Sequence, residues 1–458
     1  MVFDLLIVGG GVNGCAIARD AAGRGLSVLL LEQKDLAAAT SSASTKLIHG
    51  GLRYLERYEF RLVHEALAER ELLLAAAPHI IHPLQFILPH EGSIRPAWLV
   101  RLGLFLYDHL ARRKRIPGSA TVALAGTPFG APLTADHRLG FSYYDCRVDD
   151  SRLVVLEALD AFARGADIRR RAARGRAMAR QCRRRRWKAG GHKRPHIVTR
   201  KLYEGAQAYM LQRPDKRIIF AIPFEEDFTL VGTTDIPFPG EPGPVAIDAA
   251  ETDYLLAAAN HFFKEKITPG DVAWSYSGLR PLYDDGALEA SVVTRDYAFD
   301  LDNADGGAPA LSIFGGKITT ARRLAEHALD TLAPFFPHMR AAWTAGAVLP
   351  GGDIGPGGFD GFVAELSRAK PFLAPRLARR LAGAYGTRAW RFLETARSLA
   401  DLGADLGRGL TEAELDYLRA QEWARTAEDV LWRRSKLGLR FDAAQTERLT
   451  RALAQRSA

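Results

Sequence analysis

The sequence predicts a mixed chain, α/β in its opening part and α+β overall, on three observations. A glycine-rich strand–helix–strand unit opens the chain. Strand pairs with period-two alternation occupy its middle, and the stretch after Pro350-Gly351-Gly352 is rich in Ala, Leu, Arg and Glu with helical spacing. A length of 458 residues suggests two to four domains. With 47% hydrophobic and 25% charged residues the composition is that of a globular protein, which excludes a disordered or collagenous chain.

Residues 3–8 (FDLLIV) form a short apolar run that ends in Gly9, Gly10 and Gly11, the pattern of a buried strand feeding a turn. Asn13 and Gly14 begin a helical stretch to about Arg24. Residues 27–31 (SVLLL) read as a second buried strand, ending at Glu32. Residues 59–77 are helical, stopped by Pro78. Residues 98–114 are apolar and then basic, 140–150 carry turn chemistry, and 151–165 have an amphipathic helical pattern. Residues 218–234 read as two strands and a turn, and 249–266 as a helix. Residues 310–314 are a short strand running into Gly315-Gly316-Lys317 and a helix to about Leu332. The stretch 168–201 has neither strand alternation nor a helical apolar face.

Gly9-x-Gly11-x-x-Gly14 carries the first chemical signal. The first glycine permits a tight turn, the second lets backbone approach a pyrophosphate, and the third lets helix and strand pack closely. The helix N-terminus then faces the anion, and Glu32 stands where an acid binds a ribose hydroxyl. The next block crowds Thr40, Ser41, Ser42, Ser44 and Thr45 ahead of Lys46, His49, Gly50, Gly51 and Arg53. Short hydroxyls beside a dinucleotide site donate hydrogen bonds to phosphate and to a ring system without steric cost. Arg53, Arg280 and Lys317 lie in glycine-flanked loops (GGLR, SGLRP, GGK), a set of fixed positive charges suited to one anion site. His196 is the group whose ordinary pKa suits proton abstraction near neutrality.

The formal net charge of +9 is local. Residues 168–203 hold 15 Lys or Arg and no acid, more than the whole excess, so the rest of the chain is net acidic. That distribution, with Trp187 the sole aromatic among the arginines, argues against specific nucleic-acid binding. Cys15, Cys146 and Cys182 form no CxxC pair, which gives neither a metal-ligand pattern nor a disulfide framework and suits a reducing compartment. No signal peptide and no transmembrane run are expected. Residues 98–106 (WLVRLGLFL), followed by Arg112-Arg113-Lys114-Arg115, suit either an anionic membrane interface or a core helix with a solvated end.

Five segments together carry a resemblance: GGGVNGCAIARDAAGRGLSVLLLE, TSSASTKLIHGGLRYLERYEFRLVHEALAERELL, YSGLRPL, FGGKITTARRLAEHAL and AEDVLWRRSKLGL. The chain resembles the aerobic, FAD-dependent glycerol-3-phosphate dehydrogenases over nearly its whole length. The resemblance implies a Rossmann-like FAD-binding domain of the D-amino-acid oxidase and glutathione reductase type, an antiparallel-sheet substrate domain and a C-terminal helical cap. It implies Gly9, Gly11, Gly14 and Glu32 at the ADP moiety of FAD, and Thr40, Ser41, Ser42, Ser44, Lys46, Leu47, Gly315 and Gly316 near the flavin. Around glycerol 3-phosphate it implies Arg53, Tyr54, Arg280, Lys317 and Thr319, with Arg280, His196 and Lys317 as the catalytic set. Its further implications are a quinone as electron acceptor, a homodimer, and peripheral attachment to the anionic cytoplasmic face of the bacterial inner membrane. Another hydroxy acid or an amine as substrate, or an inactive relic, remain alternatives.

The expected domain division is 1–85 (FAD, first part), 86–140 (membrane-proximal insertion), 141–195 (FAD, second part), 196–300 (substrate), 301–335 (FAD, return) and 350–458 (cap). The second FAD part departs from the family. The family has a longer series of strands there, including an Ala-Thr-Gly segment beside the dinucleotide, whereas here an Arg-rich run fills the gap. A frame shift in a GC-rich coding sequence yields such runs of Arg, Ala and Gly. Ten arginines between 169 and 186 cannot be buried unpaired, so this run is expected at the surface and the FAD wall beside it open.

Overall fold

The computed structural model describes residues 2–90, 95–134, 137–170, 189–212, 217–233, 236–238, 243, 245–283, 296–303 and 307–456. The chain opens with β1 (Leu5–Val8), α1 (Val12–Gly23) and β2 (Val28–Glu32), as the glycine pattern requires. β3 (Leu47–Ile48), α2 (Phe60–Ala76), β4 (Ile81–Pro89), α3 (Ala97–His109) and β5 (Ala120–Ala123) follow. Next come β6 (Leu139–Val148), α4 (Asp150–Ala163), β7 (Asp167–Arg170) and β8 (Ala189–Arg200). The chain continues with β9 (Ala208–Gln212), β10 (Ile218–Phe224), β11 (Phe228–Thr233), β12 (Ile236–Phe238), α5 (Ala249–Phe262) and β13 (Val272–Tyr283). β14 (Ala298–Asp302), β15 (Ala310–Phe314) and α6 (Ala321–Leu332) return the chain to its opening unit.

Two sheets organise the molecule. β1, β2 and β7 form a parallel sheet in the order β1-β2-β7. The core beside it is built from small residues on α1, among them Cys15, Ala16, Ala18 and Ala21, with Val154, Val155 and Ala158 of α4 and Leu324, Ala325 and Ala328 of α6. Small side chains let these helices approach closely, as the third glycine does for α1 and β1. The second sheet has ten strands in the order β12-β8-β11-β10-β9-β4-β6-β3, with β13 on β8 and β5 on β6. Its pairings are antiparallel except β4 with β9.

Three expectations from the sequence change. Residues 140–150 are not a turn: β6 runs through them, with Phe141, Tyr143 and Cys146 buried between neighbouring strands. Aromatic and β-branched residues that pack on both sides outweigh Gly140 and the flanking acids. Residues 168–201 begin and end in strands. β7 holds the edge of the parallel sheet, and β8 is gripped between β13 and the β11–β12 side. Arg170 is buried, against the expectation that the whole arginine run is exposed. Its guanidinium meets Asp35 at 3.2 Å and Asp429 at 3.0 Å, so the charge is paired. The remainder of the run, 171–188, lies outside the described residues.

The last hundred residues are helical, as expected, apart from a small ribbon of Asp405–Gly407 with Leu410–Thr411. Their helices include Gly358–Ala369, Pro375–Tyr385, Glu412–Glu422 and Ala443–Gln455 around a core of their own. This unit docks on the opening unit through buried ion pairs. Arg434 donates to Asp35 at 2.9 Å through both terminal nitrogens, and Arg433 reaches the same carboxylate. Arg152 of α4 grips Glu422 through both terminal nitrogens, and both side chains are buried. Glu422→Ala would leave the Arg152 charge buried without its carboxylate. We expect a loss of about 3–5 kcal/mol; urea denaturation with an unchanged midpoint would show that the pair is dispensable.

Candidate active site

The glycine loop follows directly from β1. Gly9 sits at φ +116°, a conformation that side chains rarely adopt. A Cβ on Gly14 would lie 2.0 Å from the Gly9 carbonyl oxygen, so the helix starts this close to the strand only because Gly14 has none. At the strand end, the Glu32 carboxylate accepts from the Gly10 amide at 2.7 Å and from the Lys34 amide at 2.7 Å. Gly11 caps α1 without a side chain. The next amide, Val12 N–H, donates to Ser41 Oγ at 3.0 Å.

The hydroxyl loop is held from below by one buried acid. Asp150, at the start of α4, accepts from Ser44 Oγ at 2.7 Å and from Lys46 Nζ at 2.8 and 3.0 Å. Lys46 also donates to the Ser42 carbonyl at 3.0 Å, and burial lowers its ammonium pKa against the pull of Asp150. Ser42 Oγ donates to the Ala39 carbonyl at 3.3 Å. Leu47 is buried in β3, opposite Arg147. Thr40 Oγ1 donates to the Leu279 carbonyl at 2.6 Å, which brings the loop against β13 one residue before Arg280. The backbone of Arg280 pairs with His192; its side chain lies outside the description.

His196 lies beneath this loop, fully buried and stacked on Tyr276 at 4.8 Å. The Arg194 carbonyl, 3.1 Å from Nδ1, can only accept, so Nδ1 carries the proton. Nε2 then accepts from Thr45 Oγ1 at 3.0 Å. Burial, helped by the Arg194 and Lys46 charges, pushes the imidazole pKa down to about 3. His196 is therefore neutral at physiological pH, and a much weaker base than its residue type suggests.

The returning loop closes the arrangement. Gly315 and Gly316 have φ of +75° and +93°. Asn13 Nδ2 donates to the Gly315 carbonyl at 3.2 Å, while Asn13 Oδ1 is buried with no partner among the described residues. Lys317 Nζ stands 4.0 Å over the Tyr54 ring, and buried Thr319 accepts from the His49 amide at 3.2 Å. Arg53 lines the groove under α3, beside Leu52, Leu55 and Leu99. The structure thus brings together the glycine loop, hydroxyl loop, His49–Tyr54, the Arg280 end of β13 and the returning loop.

Sequence reasoning missed the roles of Asp150 and Asn13, and of Asp145 with Tyr107, which accept from the Gly50 amide. Asp150 had a signal in the Asp149-Asp150 pair ahead of an apolar helix. So did Asp145, an acid inside the apolar run FSYYDCRV.

The FAD dependent oxidoreductase family matches residues 4–194 and 191–322, and the C-terminal domain of alpha-glycerophosphate oxidase matches 342–456. The glycerol-3-phosphate dehydrogenase of Pseudomonas aeruginosa is 49% identical over 98% of this chain and 94% of its own length. The chain belongs to the FAD-dependent glycerol-3-phosphate dehydrogenase family. D-erythritol 1-phosphate dehydrogenase of Brucella abortus is 47% identical, over 96% of each protein. The glycerol-3-phosphate dehydrogenase of Bacillus halodurans, solved complexed with FAD, is 26% identical. It superposes with a TM-score of 0.76, covering 99% of this chain and 90% of that one.

The two matches to the oxidoreductase family meet at 191–194, at the end of the arginine run. The residues present fit FAD. The glycine loop has no side chain at the helix start, the Glu32 carboxylate stands at the strand end, and the Asn13 oxygen has no partner among the described residues. Gly11→Val would add a branched side chain where a Cβ already comes within 3.2 Å of Ser41 Oγ. We expect the folded variant to lose flavin absorbance; retained flavin would defeat this assignment of the phosphate site.

Proposed function

We propose that the chain oxidises sn-glycerol 3-phosphate to dihydroxyacetone phosphate and passes the electrons to a quinone. The observation that carries this reading is the meeting of two glycine turns, one bearing Arg53 and Tyr54 and the other Lys317 and Thr319, tied by the Lys317–Tyr54 contact and the His49–Thr319 hydrogen bond. FAD, when bound, supplies the acceptor for the hydride that leaves C2. Arg53, Arg280 and Lys317 supply fixed positive charge for the phosphate and for the C2 oxygen as its proton departs. Thr319 serves the same site through its hydroxyl. We assign proton acceptance to the Thr45–His196 pair, in which Nε2 is free of a proton. The hydride leaves C2 itself, and the proton leaves the C2 hydroxyl oxygen toward Thr45 Oγ1, whose own proton points to His196 Nε2.

A second reading, a longer polyol phosphate, has the Brucella relative behind it. Both substrates join a phosphate monoester to a secondary alcohol. Comparison of kcat/KM for glycerol 3-phosphate and D-erythritol 1-phosphate, with a soluble quinone as acceptor, separates them. In the same assay Arg280→Lys should lose at least about tenfold in kcat/KM, because the planar fork that grips phosphate is gone. Activity equal to the unsubstituted protein would refute the role of Arg280.

We further propose peripheral attachment to an anionic membrane surface, such as the cytoplasmic face of the inner membrane. Among the described residues no helix is long and apolar enough to cross a membrane. Helix α3 instead exposes Trp98, Leu99, Leu102, Phe105 and Leu106, and Tyr58 and Phe60, also exposed, line the groove it covers. The basic run 112–115 follows it. An apolar face beside clustered cations suits anionic lipid. The protein should co-sediment with vesicles containing anionic lipid, and Trp98→Ser with Phe105→Ser should weaken that binding; equal binding by the double variant would refute this surface.

A further inference from the structure

The segment that carries Arg53 and Tyr54 is fixed at two successive backbone amides. The first, His49 N–H, is held by Thr319. The second, Gly50 N–H, points into a buried polar cluster on the other side. It donates to Tyr107 Oη at 2.9 Å and, at 3.3 Å, to Asp145 Oδ1. Tyr107 donates in turn to the Asp145 carboxylate at 2.7 Å, and Arg70 donates to it at 2.7 Å while also holding the Tyr144 carbonyl at 2.8 Å. Arg70, Tyr107 and Asp145 are each no more than 3% exposed.

Nothing in the proposed chemistry uses these three groups, yet their cost is high. Burying a carboxylate, a guanidinium and a phenol is tolerated because they pair with one another, although Arg70 Nε has no partner among the described residues. The space at Gly50 is equally constrained: a Cβ there would lie 2.5 Å from Leu67 Cδ2 and 2.6 Å from Tyr107 Oη. Past Gly50, Gly51 turns the chain at φ +77° into the short helical turn Leu52–Arg57. Any shift of the Gly50 amide is therefore carried directly into Arg53 and Tyr54, and through the Tyr54 ring to Lys317.

We propose that Tyr107 and Asp145, backed by Arg70, are positioning residues for substrate phosphate. They set the backbone of His49–Tyr54 without touching substrate. The inference rests on the reading of that segment as part of the substrate site. It has a consequence for α3: Tyr107 stands on the inner side of the helix whose outer side carries the exposed Trp98 and Phe105. One hydroxyl joins that helix to the substrate loop.

Tyr107→Phe tests this, because it keeps the ring and removes only the hydroxyl. Tyr143→Phe is the matched control: it deletes another buried hydroxyl nearby, whose hydrogen-bond partner among the described residues is Met210 Sδ at 3.6 Å. In Tyr107→Phe we expect KM for glycerol 3-phosphate to rise about fivefold, one hydrogen bond's worth, with kcat changed less and FAD content unchanged. Tyr143→Phe should leave KM unchanged. Amide hydrogen exchange over residues 49–54 should quicken in Tyr107→Phe and not in Tyr143→Phe. That measurement holds even for a protein that does not turn over glycerol 3-phosphate, the outcome that would instead sink the functional reading. Unchanged exchange and KM in Tyr107→Phe, or equal changes in both variants, would overturn the inference.

Discussion

The buried pair between Lys46 and Asp150 is the interaction on which the site depends. Asp150 begins α4 and so belongs to the rigid core of the opening unit, while Lys46 ends the hydroxyl loop in a left-handed conformation at φ +58°. A charge this deep is stable only with its partner, which makes the loop's position a property of the core rather than of the loop. Each neighbouring element then takes its place from the loop. Ser41 meets the amino end of α1, Thr40 meets β13, and Thr45 meets His196. Tyr276 closes over the loop by donating to the Ser44 carbonyl at 2.8 Å.

The same device joins the C-terminal helices to the opening unit. Asp35, just past β2, takes Arg433 and Arg434 from the WRRSK segment and Arg170 from β7. Lys436 from that segment reaches Ser151 Oγ at 2.6 Å and Asp149 at 3.1 Å, next to the acid that holds the hydroxyl loop. The cap is thus tied to the end of the strand that carries Glu32 and to the start of α4. Interior charges in such a network stabilise little beyond an apolar core, but they tolerate only one arrangement of the joined parts.

β7 and β8 flank the arginine-rich stretch. β7 pairs with β2 in register, and Arg170 closes onto Asp35 and Asp429, so this strand of the opening sheet is tied by ion pairs. β8 holds β13 in the large sheet, and with it the backbone of Arg280. Each strand thus takes its place from partners in its own sheet.

Much of the fold was legible because it is locally encoded. The βαβ opening follows from three glycines at fixed spacing and two short apolar runs, and the helices from periodicity and stop signals. The glycine spacing was enough to indicate a dinucleotide site, while FAD and a phosphorylated alcohol came from the resemblance of five segments to a known family. β6 was misread because its flanking glycine and acids are local turn signals, while its strand character comes from antiparallel pairing along both edges, with β4 on one side and β3 and β5 on the other. The state of His196 was equally out of reach. Residue type gives an imidazole its ordinary pKa, but burial under Tyr276 and β11 decides that it stays neutral with Nε2 toward Thr45. The sequence by itself determined which glycines, hydroxyls and cations are candidates for binding FAD and a phosphate. Only the tertiary structure decided which buried partners, Asp150, Asp145 and Tyr107, hold their loops, because desolvation and pairing are set by residues 57 to 104 positions away in the chain.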